Sequence, residues 1–172
     1  MIPFKLTEEL LTEIEQLIDT RQNQTLRTMM EDYHYADIAE VIDELDEDQA
    51  TYLIKLLDSE KTSDVLTELD EDIREAILKN LSSKEIAGEL EELDTDDAAD
   101  IVGELPKEIV QEVISEISDR EHARDIVDLL RYDENSAGDL MAKELVKVNE
   151  NWTVLTCVRE MRQQAENVTR VH

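Results

Sequence analysis

Apolar residues set a regular beat along this chain. Leu45, Leu57, Leu69, Leu81, Leu93, Leu105, Ile117 and Leu129 stand twelve residues apart. The first seven are followed at once by Asp46, Asp58, Asp70, Ser82, Asp94, Pro106 and Ser118, residue types that cap or open a helix. Three begin a capping-box pattern: Asp46 with Gln49, Ser82 with Glu85, and Ser118 with Glu121. Between caps, apolar residues fall three or four positions before each leucine, as in Val41/Ile42, Leu53/Ile54, Ile77/Leu78 and Ile101/Val102. Others fall about seven before it, as Ala50, Ile86, Ala98 and Val110 do, completing the stripe of an amphipathic helix. Helices of roughly nine or ten residues are unstable alone in water, so these must stack. Alternate segments match best, which makes the unit a 24-residue helical hairpin. The predicted fold is mainly α, a superhelical stack of short hairpins followed by a partial α/β segment.

Two further helices are expected upstream, Thr7 to Asp19 and Thr25 to Asp32, and Arg120 to Arg131 reads as the last repeat helix. The rhythm then breaks, which places a domain boundary between residues 1–131 and 132–172. The tail predicts a short helix over SAGDLMA, a strand from Leu145 to Val148, and a turn at Asn149 to Asn151. A helix capped by Thr153 follows, with a second strand starting at Asn167. Two strands and a helix cannot close a hydrophobic core. The tail is therefore expected to open a larger module, to pack on the repeats, or to swap with another copy.

Charge sharpens the boundary. The chain holds 45 Asp and Glu against 17 Lys and Arg, a formal net charge of -28, and residues 37–130 carry 31 of the acids with 8 of the bases. Such a surface opposes nucleic acid, whose phosphates require clustered Lys and Arg, and avoids an anionic membrane. Cations or basic proteins are the matching partners, although a solvated, solubilising surface would also account for the composition. The single cysteine, Cys157, cannot form an internal disulfide and fits a reducing cytoplasm. The N-terminus has neither the basic start nor the apolar run of a signal peptide, and no stretch of about 18 apolar residues occurs.

Catalytic signatures are missing: there is no phosphate-binding glycine loop, HExxH, CxxC or GxSxG. Carboxylates abound, but acid–base catalysis needs a desolvated pocket that a thin helical stack rarely supplies. The chain is read as a non-enzyme, with His34 and His122 as surface or interface residues. The Asp-x-Asp elements at 46, 70 and 94 fail as EF-hands, because the sixth loop position, a glycine there, is Thr51, Glu75 and Ala99. One cluster exceeds capping needs. Asp94, Asp96, Asp97 and Asp100 open a single helix, and Asp96 and Asp100 share a face where their repulsion calls for a cation or a basic partner. Mg²⁺ suits such a site, since it keeps several waters and takes one or two carboxylates directly. A solvated acidic face remains the alternative.

The acidic hairpins, the stretch LDTDDAADIVGELP, and the junction RYDENSAGDLM running into VKVNENWTVLTCVREMR together resemble the cytosolic N-terminal domain of the MgtE family of magnesium transporters, continuing into its first CBS module. The resemblance implies a right-handed helical superhelix serving as a Mg²⁺ sensor on the cytoplasmic side of a homodimeric membrane channel. It implies Mg²⁺ ions bridging this domain to acidic CBS modules and holding the pore of the transmembrane domain closed. Position by position it points to Asp96 and Asp100, with adjacent Asp97, and to Asp64 as Mg²⁺ contacts. A second reading is a protein-interaction scaffold resembling the middle domain of flagellar motor switch proteins. The AGDLM junction and the tail beyond it speak against that scaffold.

Overall fold

The structure, a computed structural model, describes residues 4–133, 136–138, 141, 143 and 145–164. Its elements are helices: α1 (Glu8–Asp19), α2 (Asn23–Glu31), α3 (Tyr35–Asp43), α4 (Glu47–Ile54), α5 (Ser59–Glu68), α6 (Glu71–Leu78), α7 (Ser83–Leu90), α8 (Thr95–Glu104), α9 (Lys107–Glu116), α10 (Arg120–Leu129) and α11 (Val154–Gln164). From α3 to α9 each helix begins twelve residues after the previous one, as the leucine spacing predicts. α10 starts one residue late. Its N-cap is Asp119, which accepts from the N–H groups of Glu121 (2.8 Å) and His122 (3.2 Å), in place of the expected Ser118–Glu121 box. A carboxylate that takes two first-turn donors is a better cap than a hydroxyl one residue earlier.

Other caps follow the sequence pattern. Asp46 accepts from Gln49 N–H at 2.8 Å and Asp58 from Lys61 N–H at 3.0 Å, while Ser82 and Glu85 form the full reciprocal box. Gln49 does not complete a box with Asp46, since its amide reaches back to Asp19. His34 and Asp37 form a box that the sequence pattern did not suggest, because histidine is an unusual cap. The helix expected from Thr25 starts two residues earlier, at Asn23.

Alternate helices pack together, α3 on α5, α5 on α7 and α7 on α9 in one layer, with α4 on α6 and α8 on α10 in the other. The apolar stripes meet between these layers, where Ile38, Ile42, Leu53, Leu66, Ile77, Ile86, Leu90 and Ile101 are fully buried. The rhythmic leucines seal the junctions: Leu69, Leu93, Leu105, Ile117 and Leu129 are buried, and Leu45, Leu57 and Leu81 half-buried.

Helix C-termini are closed from outside. None of α1–α10 carries a basic residue in its last turn, so their carbonyls and negative dipole ends need donors from elsewhere. Lys61 Nζ donates to the carbonyls of Met30 (2.7 Å), Glu31 (3.0 Å) and Tyr33 (3.1 Å) at the end of α2. Arg74 donates to Leu66 (2.8 Å) and Leu69 (3.1 Å) at the end of α5, and His122 Nε2 lies 2.9 Å from Leu90 O at the end of α7.

Arg74 also pairs bidentately with Glu104, across from α6 to α8, with the two side chains only 13% and 14% exposed. Glu104 holds the guanidinium pKa above its ordinary value. Removing the carboxylate strands a mostly buried charge. Glu104→Ala should therefore destabilise the stack by about 2–3 kcal/mol in chemical denaturation, whereas Glu68→Ala, on an exposed position, should change it little.

The tail departs from expectation at its strand. Among the described residues, 145–148 form no strand, and the backbone of Lys147 bonds to the Gln164 side chain in both directions (2.8 and 2.9 Å). The expected turn forms, with Trp152 N–H donating to Asn149 O at 3.0 Å, and Thr153 caps α11 through Thr156 N–H at 3.3 Å. Of the predicted SAGDLMA helix, residues 136–138 form a bend and a turn, and several of its other positions lie outside the described residues, as does the strand predicted from Asn167.

Candidate metal-binding face and its junction with the tail

The four predicted ligand residues divide between layers. Asp96, Asp97 and Asp100 lie on α8, Asp96 half-buried and the other two exposed, while Asp64 stands exposed on α5 in the opposite layer. The first turn of α8 is well suited to hold acids. The positive dipole end there lowers the cost of concentrating carboxylates. Asp100 also contributes to the field that keeps Arg74 protonated. Among the described residues no three Asp, Glu, His or Cys side chains converge at metal-ligand spacing. The face can thus offer one or two hard oxygen donors to an ion, which is what Mg²⁺ takes from protein when it retains its waters. The remainder of a shell would come from water or from another module.

What the tail does at this face was not legible in the sequence. Buried Thr95, the first residue of α8, accepts from the backbone N–H of Lys143 at 3.0 Å. Lys143 Nζ then pairs with Asp128 of α10 at 2.7 Å. Hydrogen bonding to Lys143 holds the Asp128 carboxyl below its ordinary pKa and the Lys143 ammonium above its own. The chain leaving the repeats therefore docks on the turn that carries Asp96 and Asp97. Gly138 fits this crossing: a Cβ there would lie 2.6 Å from Cγ of the Tyr132 ring. The sequence holds only the glycine and the lysine as signals, and neither specifies its partner.

Among the described carboxyl groups, Glu89 is moved strongly upward. Half-buried on α7, it accepts from Ser59 Oγ at 3.0 Å and Ser63 Oγ at 3.4 Å across the α5–α7 contact. Burial pushes its pKa up to about 7, aided by the charges of Glu92 and Asp58 and opposed by the two serine bonds. Asp43 is raised in the same direction, by burial and then by Asp70, Glu44 and Glu40.

Sequence and structure comparisons agree on one assignment. The family model for the MgtE intracellular N domain matches residues 33–135, more than half of the chain. The chain belongs to the MgtE N-domain family. Its MgtE-type fold recurs in the crystal structure of the soluble part of a magnesium transporter, with a TM-score of 0.76 at 24% identity over 95% of this chain and 64% of that one. It recurs again in the cytosolic domain of the Mg²⁺ channel MgtE in complex with ATP, with a TM-score of 0.82 at 28% identity over 94% and 66%. The chain thus spans about two thirds of the length of these structures. No curated protein sequence matches it.

Two predictions follow from the geometry. Thr95→Val keeps the buried shape but removes the acceptor for Lys143 N–H, so amide hydrogen exchange at Lys143 should speed up by an order of magnitude or more while that of α3–α7 is unchanged. Glu89 makes the folded chain hold a proton that the unfolded chain releases near pH 4.5, so its contribution to stability falls as pH rises from about 4.5 to about 7 and stays low above that. Glu89→Gln should erase this slope. Relative to wild type, the variant should gain about 1–2 kcal/mol between pH 5 and pH 8, with solvent screening of the half-buried group allowed for.

Proposed function

We propose that this chain is a cytosolic Mg²⁺-sensing module of a magnesium transporter or channel, comprising an acidic repeat domain over residues 1–131 and the start of a CBS module over 132–172. In this reading, Mg²⁺ ions bridge the α8 face, Asp96 and Asp100 with Asp97, to carboxylates of CBS modules in a homodimeric protein, and Asp64 contributes a second, separate contact. Bound ions neutralise the repulsion and favour the closed arrangement of domains. When cytosolic Mg²⁺ falls the ions leave, the acidic surfaces repel, and the transmembrane pore is released.

Membership of the MgtE N-domain family supports the transporter context. The observation that carries the bridging role is the docking of the tail on α8 through Lys143 and Thr95, which keeps the following module tethered beside the acidic turn. A bridging site also explains why this face holds acids without closing a shell of its own.

The reading predicts a weak response of this chain alone and a strong one in the longer protein. Thermal unfolding should be followed at millimolar Mg²⁺ against an ionic-strength-matched Na⁺ control, on this chain and on one extended through a complete CBS pair. Mg²⁺ should raise the Tm of the extended protein by several degrees beyond the control, and Asp96→Asn/Asp100→Asn should abolish the excess. Equal responses to Mg²⁺ and Na⁺ in both proteins would leave only screening of a -28 surface and would favour an interaction scaffold instead.

A further inference from the structure

We propose that the outer flank of the α9–α10 hairpin is a docking groove for an acidic amphipathic helix of a partner protein. α7 covers one side of α9 and α8 one side of α10. Elsewhere on the pair runs an open groove of about 710 Å³ floored by half-buried Val110, Ile114 and Val127. Leu130 edges it, 38% exposed. Stacked repeats normally finish on a polar outer face, and this flank is instead an apolar trough open along its length, the shape that receives a helix.

Charge identifies the occupant. Arg120, Arg124 and Arg131 line the groove and, among the described residues, no acid does, in a chain whose acids outnumber its bases 45 to 17. Arg120, Arg124, Val127 and Arg131 lie at helical spacing, so the guanidinium groups border the apolar floor along one side of α10. They are lightly committed. Arg120 bonds to Ser115 O at 3.3 Å, Arg131 meets Asp128 at 3.5 Å, and Arg124 has no ion pair among the described residues. An apolar ridge flanked by carboxylates complements this surface, with the arginines placed to clamp those carboxylates bidentately. α11, whose Val154 and Leu155 are 79% and 84% exposed, is opposed as an occupant by its own Arg159 and Arg162.

The test needs one acidic amphipathic helix of known sequence, and the chain supplies it in residues 8–19, EELLTEIEQLID. A stapled, fluorescein-labelled peptide of this sequence, a copy with every acid changed to its amide, and a stapled peptide of residues 154–164 should be titrated with the protein by fluorescence anisotropy. In 150 mM NaCl the Debye length is about 8 Å, so acids farther from the groove than that are screened. The acidic peptide should saturate at micromolar protein and the other two should not. Arg124→Glu/Arg131→Glu, at exposed positions, should weaken binding roughly ten-fold or more with an unchanged circular dichroism melt. Chemical-shift changes should fall on α9 and α10. Binding that ignores the arginine substitutions, or equal binding of the amide peptide, would overturn the proposal. So would tripolyphosphate displacing the peptide at lower concentration, which assigns the groove to a small anion, or self-association abolished by Arg124→Glu, which assigns it to a second copy. None of these results bears on Mg²⁺ binding at α8.

Discussion

Helices of eight to ten residues cannot hold themselves together, and the whole molecule is arranged around that deficit. Each of the repeats from α3 to α10 has two or three turns, too few for its own hydrogen bonds to offset nucleation. Stability comes from burying one apolar stripe between two layers, and the spacing of twelve keeps every stripe facing inward. Short helices also multiply ends. Nine of them in close succession, α2 to α10, present many first-turn N–H groups and last-turn carbonyls, so the chain spends acids on N-caps and places some of its few bases against C-termini of other helices. Lys61 and His122 each close a helix distant in sequence, and Arg74 closes the helix just before its own. Part of the scarce positive charge is thereby drawn into the scaffold, and carboxylates dominate the outer surface.

That division of labour has a functional consequence under the proposed reading. Acids that cap helices are fixed in place by the backbone, and a surface built from them stays negative whatever the loops do. The first turn of α8 places Asp96 and Asp97 beside the point where the following segment docks. A divalent ion arriving there would relieve repulsion within the helix and between modules at once. Its free energy would then couple directly to domain position, as linkage requires.

Much of this was written in the residue pattern. The leucine spacing located the hairpins, and Asp46, Asp58 and Ser82 located helix starts to within a residue. The junction around Arg131 to Met141, with the repeats before it, pointed to the family. All but one of the misses depend on partners remote in sequence, the exception being a local competition between neighbouring caps. Ser118 looked like a cap until Asp119 proved able to collect two N–H groups. Leu145 to Val148 looked like a strand, and the Lys147 backbone there bonds to the side chain of Gln164. Glu89 reads as one acid among 45, and only its burial against Ser59 and Ser63 sets it apart. The lysine that ties the tail to α8 has no local signature at all.

The most direct test asks where a divalent ion sits. Mn²⁺, a paramagnetic substitute for Mg²⁺, can be titrated at substoichiometric level into isotope-labelled protein extended through the CBS pair, with amide relaxation read residue by residue. The proposed function predicts selective broadening of the amides from Thr95 to Ile101, reversed by excess Mg²⁺ and not by Na⁺ at matched ionic strength. Broadening spread evenly over the acidic surface, or centred on helices other than α8, would contradict it.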